Sequence, residues 1–329
     1  MATSASISQD RRPSGRASGV PARGFLRRAL SGDRIAYGIV FSSASAIVAL
    51  TVLLVYELWL HSALARHKFG WGFLFTQTWD PIAGHFGALP FIYGTVVTSA
   101  LALVFAIPLG VGAAIFLAEL APPRVSDALT FLIELLAAVP SVIIGLVGIF
   151  VLVPVLQEAV PVLKSVLGFL PIFSGAFYGV SIFTAGVLLS VMIVPFIISI
   201  SREVLLAVPR DLREAALALG ATRWESTWQV VIPCARSGIV GSIFLALART
   251  LGETMAVTMV IGNSPKISAS LLAPGYSIAA VIANEFAEAA GDLYLSSLIE
   301  LGLVLFALTI IINGAARLLI LTTTAKGAR

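Results

Sequence analysis

The stretch FIYGTVVTSALALVFAIPLGVGAAIFLAE, residues 91–119, holds a single charged side chain, Glu119, at its last position. A helix needs about 20 apolar residues to cross a hydrocarbon core about 30 Å thick, so this run is long enough to span a membrane. Five more stretches qualify, at about 35–60, 128–154, 179–201, 237–262 and 294–321. Membrane barrels instead use strands of about ten residues that alternate polar with apolar, and neither Ala46–Tyr56 nor Leu301–Ile312 alternates. The expected fold is all-α, a polytopic membrane protein with six transmembrane helices, and an even number of spans puts both termini on one side.

Composition points the same way. The 329 residues are 58% hydrophobic and 12% charged, against roughly 25% charged in soluble domains, which excludes a soluble enzyme and a disordered chain. The single cysteine, Cys234, cannot form an intrachain disulfide. All three histidines, His61, His67 and His85, fall in one stretch between apolar runs, so no imidazole is placed within a span as base, metal ligand or haem ligand. No metal site is expected.

Charge sets the orientation. Sixteen basic residues lie in the N-terminal segment, in the loops after spans two and four and at the C-terminal end, against four on the opposite side, Arg66, Lys68, Lys164 and Lys266. The positive-inside rule places both termini in the cytoplasm. Residues 1–34 are expected to be a basic, disordered cytoplasmic tail held against anionic lipid; a transit peptide is the lesser alternative, and no signal peptide is evident. Residues 35–321 form the transmembrane domain, and 322–329 a second cytoplasmic tail.

Pro108, Pro140 and Pro195 fall inside the second, third and fourth runs, where a freed carbonyl permits a kink. Gly110, Gly112, Gly145 and Gly148 offer small surfaces for close packing. Gln157–Tyr178 is apolar but broken by Pro161, Pro171 and Gly175, and is expected to be an external re-entrant or interfacial element. In 263–293, Ser277 is placed to cap a short helix with Ile278, Val281, Ile282 and Phe286 on one face. Trp71 and Trp79 are expected to anchor at the outer interface.

The longest polar stretch after the tail is PRDLREAALALGATRWESTWQVVIPCA, residues 209–235. It reads as two short helices. Pro209 starts the first, Leu212, Ala216 and Leu219 share a face, and Gly220 stops it. Thr222 with Glu225 matches a capping box for the second, which Pro233 is expected to end. An exposed helix, turn, helix unit between two spans suits docking to a cytoplasmic partner.

Here the residues carry a resemblance. Glu214, Ala215 and Ala216, then Gly220, then Val230, Ile232 and Pro233, resemble the EAA loop of ABC importer permeases; only Val230 and Ile232 depart from the usual Ile and Leu. The resemblance implies the type I importer permease (MetI-like) fold, and that 209–220 is the coupling helix that fits a cleft on a separate ATPase subunit. A P-loop requires Gly-Lys followed by Ser or Thr, and no Gly-Lys occurs here. The chain is therefore expected to be no enzyme itself and to bind no cofactor, ATP being held by the partner.

Span five, SGIVGSIFLALARTLGETMAVTMVIG, places Arg249 and Glu253 four residues apart, hence on one helical face near mid-membrane. Each charge costs roughly 2.5–3.5 kcal/mol at a helix centre, so both must face protein or water. Arg249 offers a forked donor to an oxyanion that Glu253 positions, or the pair stitches two helices together. Residues 246–263, 271–289 and 134–154 are similar to the corresponding stretches of the PstC family, permease subunits of the phosphate-specific importer. That similarity implies a phosphate pathway at Arg249 and Glu253, in a bacterial inner membrane. It implies as partners a PstA-like permease, a PstB-like ATPase dimer and a PstS-like binding protein, with no nucleic acid. A permease for sulfate or molybdate, and an ATP-independent secondary transporter, are the alternatives.

Overall fold

Pro140 decides the first departure from the apolar pattern. Proline disfavours helical backbone at the residue before it, and in the computed structural model the chain indeed breaks there: one helix runs over Pro123–Ala137, and a new one starts at Ser141 with Pro140 as its extended N-cap. The third span is therefore Ser141–Val166, not 128–154. The helix before it is amphipathic, fixed by Ser126, whose hydroxyl donates to the Leu117 carbonyl at 2.8 Å. The span then absorbs the first half of the expected re-entrant stretch, passing through Pro161; a single 3-10 turn, Pro171–Phe173, and an extended strap follow.

The structure describes residues 22–326, with side chains from 36 to 318 except that of residue 167. Of the two expected tails, residues 1–21 and 327–329 lie outside the described residues, and the backbone of 22–34 and 322–326 is helical. The described residues hold six helical segments long and apolar enough to cross a membrane: Ala36–His61, Leu89–Leu120, Ser141–Val166, Ile182–Leu206, Arg223–Leu251 and Asp292–Leu318. These are spans one to six. The chain divides into two compact units, one ending at Tyr56 and one beginning at Glu57. In the first, the described part is a single helix whose apolar side chains, from Tyr37 to Tyr56, are almost all exposed. The second holds spans two to six.

Span four is the axis of the second unit. Ile193, Ile197, Leu188 and Met192 are buried against Ala102 and Ala106 of span two and against Val257 and Val260. Spans two and four run unbroken through Pro108 and Pro195. Gly110, Gly145 and Gly148 do serve close approach, since added β-carbons would lie 2.7 Å from Ile197, 2.5 Å from Met259 and 2.8 Å from Leu188, whereas Gly112 faces open space within this chain. At the end near residues 205–239, Leu117, Ile198, Leu205, Val208, Val231 and Ile239 form a second apolar cluster.

At the far end, segment 263–277 lies across the start of span two. Tyr93 donates its hydroxyl to the Ser268 carbonyl at 2.7 Å, and Ile278 N–H donates to Thr95 Oγ1 at 2.9 Å. Ser277 caps helix Ile278–Glu285 by accepting from Ala280 N–H, and Ile278, Val281 and Ile282 face inward as the spacing predicts, while Phe286 is half exposed. Trp79 packs within the chain and is partly buried. Its ring packs edge-on against Phe86 and Phe91, and its N–H, like the Tyr294 hydroxyl, donates to Glu285 Oε2. Aromatic pairs and a satisfied indole N–H favour the interior once a carboxylate is within reach. Trp71 is largely exposed.

The tightest approach is at Gly94, where an added β-carbon would sit 2.0 Å from the Tyr276 carbonyl oxygen. Backbone on both sides leaves nothing flexible to yield. Gly94→Ala is expected to destabilise the protein by about 1–3 kcal/mol, read as a lower melting temperature of the purified protein in detergent.

Candidate functional site

The loop between spans four and five is built as its sequence prescribes at most positions. Pro209, with ψ 137°, turns the chain out of span four and the first helix runs Arg210–Ala218. It ends in a complete Schellman motif: Gly220 N–H donates to the Leu217 carbonyl at 3.0 Å and Ala221 N–H to the Ala216 carbonyl at 3.2 Å. Gly220 has φ +90°, in the left-handed region that glycine enters without strain. Both halves of the Thr222–Glu225 capping box are made.

Pro233 behaves differently from expectation. It does not end the second helix, which continues from Arg223 to Leu251 as span five. A π-helical turn at Thr227–Val231 precedes it, with Ile232 N–H reaching back to the Thr227 carbonyl. Proline leaves a carbonyl one turn earlier without its donor and crowds it. The wider π-turn falls where those conflicts arise, one turn before the proline.

This loop helix buries none of its side chains. Leu212 and Leu217 are partly exposed, Leu219 is 90% exposed, and Glu214 and Ala215 face outward beside them. Beyond the turn, Trp224 and Trp228 stack with ring centroids 5.9 Å apart and are more than half exposed. Apolar groups of this size, exposed on a polar loop with a carboxylate among them, are the features that mark interaction surfaces in general.

In span five the sequence expectation fails at the decisive point. The helix stops at Leu251, residues 252–254 are non-helical, and a short helix, Met255–Val260, follows. Arg249 and Glu253 are thus not on one helical face, and among the described residues no ion pair joins them. Glu253 instead accepts from Ala256 N–H at 3.4 Å, and Arg249 is exposed, its guanidinium 5.7 Å from the centre of the Phe196 ring on span four. Thr250 and Thr258 turn their hydroxyls onto backbone carbonyls at 2.8 Å, which leaves Arg249 as the strong donor there. Gly252 followed by Glu253 and Thr254 explains the break: glycine disfavours helix, and a short polar side chain competes for backbone partners.

The exposed guanidinium of Arg249 thus lies two residues before the end of span five, next to the non-helical backbone at 252–254. A forked cation there carries donors suited to an oxyanion.

Two carboxylates escaped the sequence reading. Glu119 closes span two and receives a two-pronged ion pair from Arg213, at 2.8 and 3.2 Å. Glu300 is 6% exposed in span six, its Oε2 without a hydrogen-bond partner among the described residues, and it lines an apolar cavity of about 540 Å³ with Trp59 and Arg66.

Residues 106–322 match the family described as binding-protein-dependent transport system inner membrane component. A protein of Mesorhizobium japonicum, named phosphate transport system permease protein PstC, is 45% identical over 92% of this chain and 94% of its own length. The protein of that name from Pasteurella multocida is 48% identical over 79% and 83%. Among solved structures, a bacterial alginate ABC transporter in complex with its alginate-bound periplasmic protein has a chain that aligns with a TM-score of 0.55 at 16% identity, covering 88% of this chain and 95% of that one; at that identity the likeness is one of fold. An all-helical membrane protein with an exposed loop helix of this form, matched over two thirds of its length by one family and nearly end to end by these relatives, belongs to the binding-protein-dependent transport system inner membrane components, and within them to the PstC-type permeases.

Proposed function

We propose that the chain is the membrane channel subunit of an ATP-driven importer of inorganic phosphate. The observation that carries this reading is the 45% identity to a phosphate permease over 92% of the chain, and the exposed Arg249 beside the break in span five gives it a chemical basis. The subunit works in a bacterial inner membrane with both termini in the cytoplasm. It pairs with a PstA-like permease above a PstB-like ATPase dimer and receives phosphate from a PstS-like binding protein.

In this reading the loop helix carries the stroke of the ATPase to the spans. ATP binding closes the ATPase dimer, and the loop helix Arg210–Ala218 moves with the cleft that holds Glu214, Ala215, Ala216 and Leu219. Spans four and five turn with it, and the path opens outward. Phosphate then enters past the break at residues 252–254. Arg249 offsets its charge and forks two N–H donors onto its oxygens. Glu253, tethered to Ala256, holds the break in shape and keeps the local field from trapping the anion. Hydrolysis returns the spans to the inward-facing state.

Labelled-phosphate uptake in cells lacking the gene, with and without its restoration, tests this. Restoration is expected to return uptake that excess arsenate competes and sulfate or molybdate does not. Competition by sulfate or molybdate would move the substrate to another oxyanion, and unchanged uptake in a strain without a duplicate system would remove phosphate.

A further inference from the structure

A lever transmits force only if it is fixed to what it moves, and the loop helix buries no side chain of its own. Its fixing is Arg213, the residue before Glu214. The guanidinium Nε donates to Glu119 Oε2 at 3.2 Å and Nη2 to Glu119 Oε1 at 2.8 Å, while Nη2 also donates to the Leu205 carbonyl at 2.7 Å and Nη1 to the Val208 carbonyl at 2.5 Å. Four bonds occupy one side chain. The pair is largely shielded from water, the Glu119 side chain being 9% and that of Arg213 19% exposed.

Each partner sits where a connection to the spans is needed. Glu119 lies in the π-helical turn Phe116–Leu120 that ends span two. Leu205 and Val208 offer carbonyls at the end of span four, where helical backbone leaves acceptors unsatisfied. From there span four is tied to span five by the Ser201–Ser242 hydroxyl pair at 2.7 Å, and it carries Phe196 beneath Arg249. One guanidinium therefore joins the loop helix to two spans, one of which continues by direct contact to the substrate path.

We infer that Arg213 and Glu119 are positioning residues for coupling: their ion pair makes the loop helix move as one body with spans two and four, so that the ATPase stroke reaches Arg249. This inference rests on the proposed importer function. It separates two tasks within one short helix, the outward face of Glu214 and Leu219 for docking and the inward Arg213 for transmission. Lysine at 213 keeps the charge but has no fork, and so cannot hold the carboxylate and both carbonyls together. Glutamine at 119 keeps shape and volume but not charge.

The test uses the complete importer in lipid vesicles, with binding protein and phosphate inside or outside as needed, comparing wild type, Arg213→Lys, Glu119→Gln, Arg213→Glu and the reversed pair Arg213→Glu with Glu119→Arg. Retained ATPase subunit, ATP hydrolysed and phosphate moved are measured together. Arg213→Lys and Glu119→Gln are expected to keep the ATPase subunits bound and hydrolysing, while phosphate moved per ATP falls by roughly fivefold or more, the lower end of ordinary coupling between sites. The reversed pair is expected to regain part of that ratio over Arg213→Glu alone. An unchanged ratio in both conservative variants overturns the inference while leaving the importer standing. Loss of ATPase subunits from both also overturns it, making Arg213 part of the docking surface. A wild-type complex without ATP-driven phosphate uptake overturns the proposed function itself.

Discussion

Replacing Arg249 by alanine is expected to lower phosphate uptake by about 30-fold or more while the complex still assembles. The magnitude follows from truncating one member of a desolvated charge interaction, roughly 2–5 kcal/mol, here between a guanidinium and a doubly or singly charged anion in transit. Assembly survives because Arg249 is exposed within the chain and its ring contact, 5.7 Å from the Phe196 centre, is loose. Arg249→Lys keeps the charge but loses the fork, and is expected to retain part of the uptake. Glu253→Gln should cost less than Arg249→Ala, since an amide oxygen still accepts from Ala256 N–H. Uptake by the restored variants and recovery of the intact complex from membranes are measured side by side. A variant complex that fails to assemble would move Arg249 to a structural role.

Why the sequence reads correctly in one place and not in another is visible at these two residues. Helix existence depends on apolar length, and that signal is strong, so all six spans are legible from composition alone. The loop helix is equally legible, because its stops are chemical: Gly220 enters the left-handed region and Thr222 caps with Glu225, whatever packs around them. The break after Leu251 is a different case. After Gly252, Glu253 and Thr254 the largely apolar Met255–Ile261 follows without a proline, so hydropathy sees one span, and only that polar triplet hints that the helix stops. Tertiary contacts complete the break, with Ala256, Val257 and Val260 buried against spans three and four.

Pro233 misleads in the opposite direction. A proline ordinarily closes a helix, yet a π-turn at Thr227–Val231 lets this one pass, and no single residue announces such a turn. The Arg213–Glu119 pair joins residues 94 positions apart in sequence. Each reads alone as a surface charge near a membrane face. Only when span two, span four and the loop helix are brought to one end of the bundle does the pair become a fixing point.

Gly220→Val is expected to strip the ATPase subunit from the complex while leaving the spans folded. Nothing lies within 4 Å of the position a β-carbon would take at Gly220, so the cost is not collision but backbone: φ is +90°. A side chain there costs roughly 1–2 kcal/mol, and a β-branched one is the worst choice for this region. The chain relieves that strain by giving up the Schellman bonds from Gly220 to Leu217 and from Ala221 to Ala216. Both steps reorient the 90% exposed Leu219 and the start of the next helix at Thr222. Since each 1.4 kcal/mol is a factor of ten in affinity, retention of the ATPase subunit through purification should fall by about 5- to 30-fold. Asparagine tolerates the left-handed region better than other side chains, so Gly220→Asn is expected to keep most of the ATPase where valine loses it. That contrast separates backbone geometry from bulk. Equal loss in both variants would mean that the ATPase cleft needs the bare glycine surface, and no loss in either would remove the loop from the docking site.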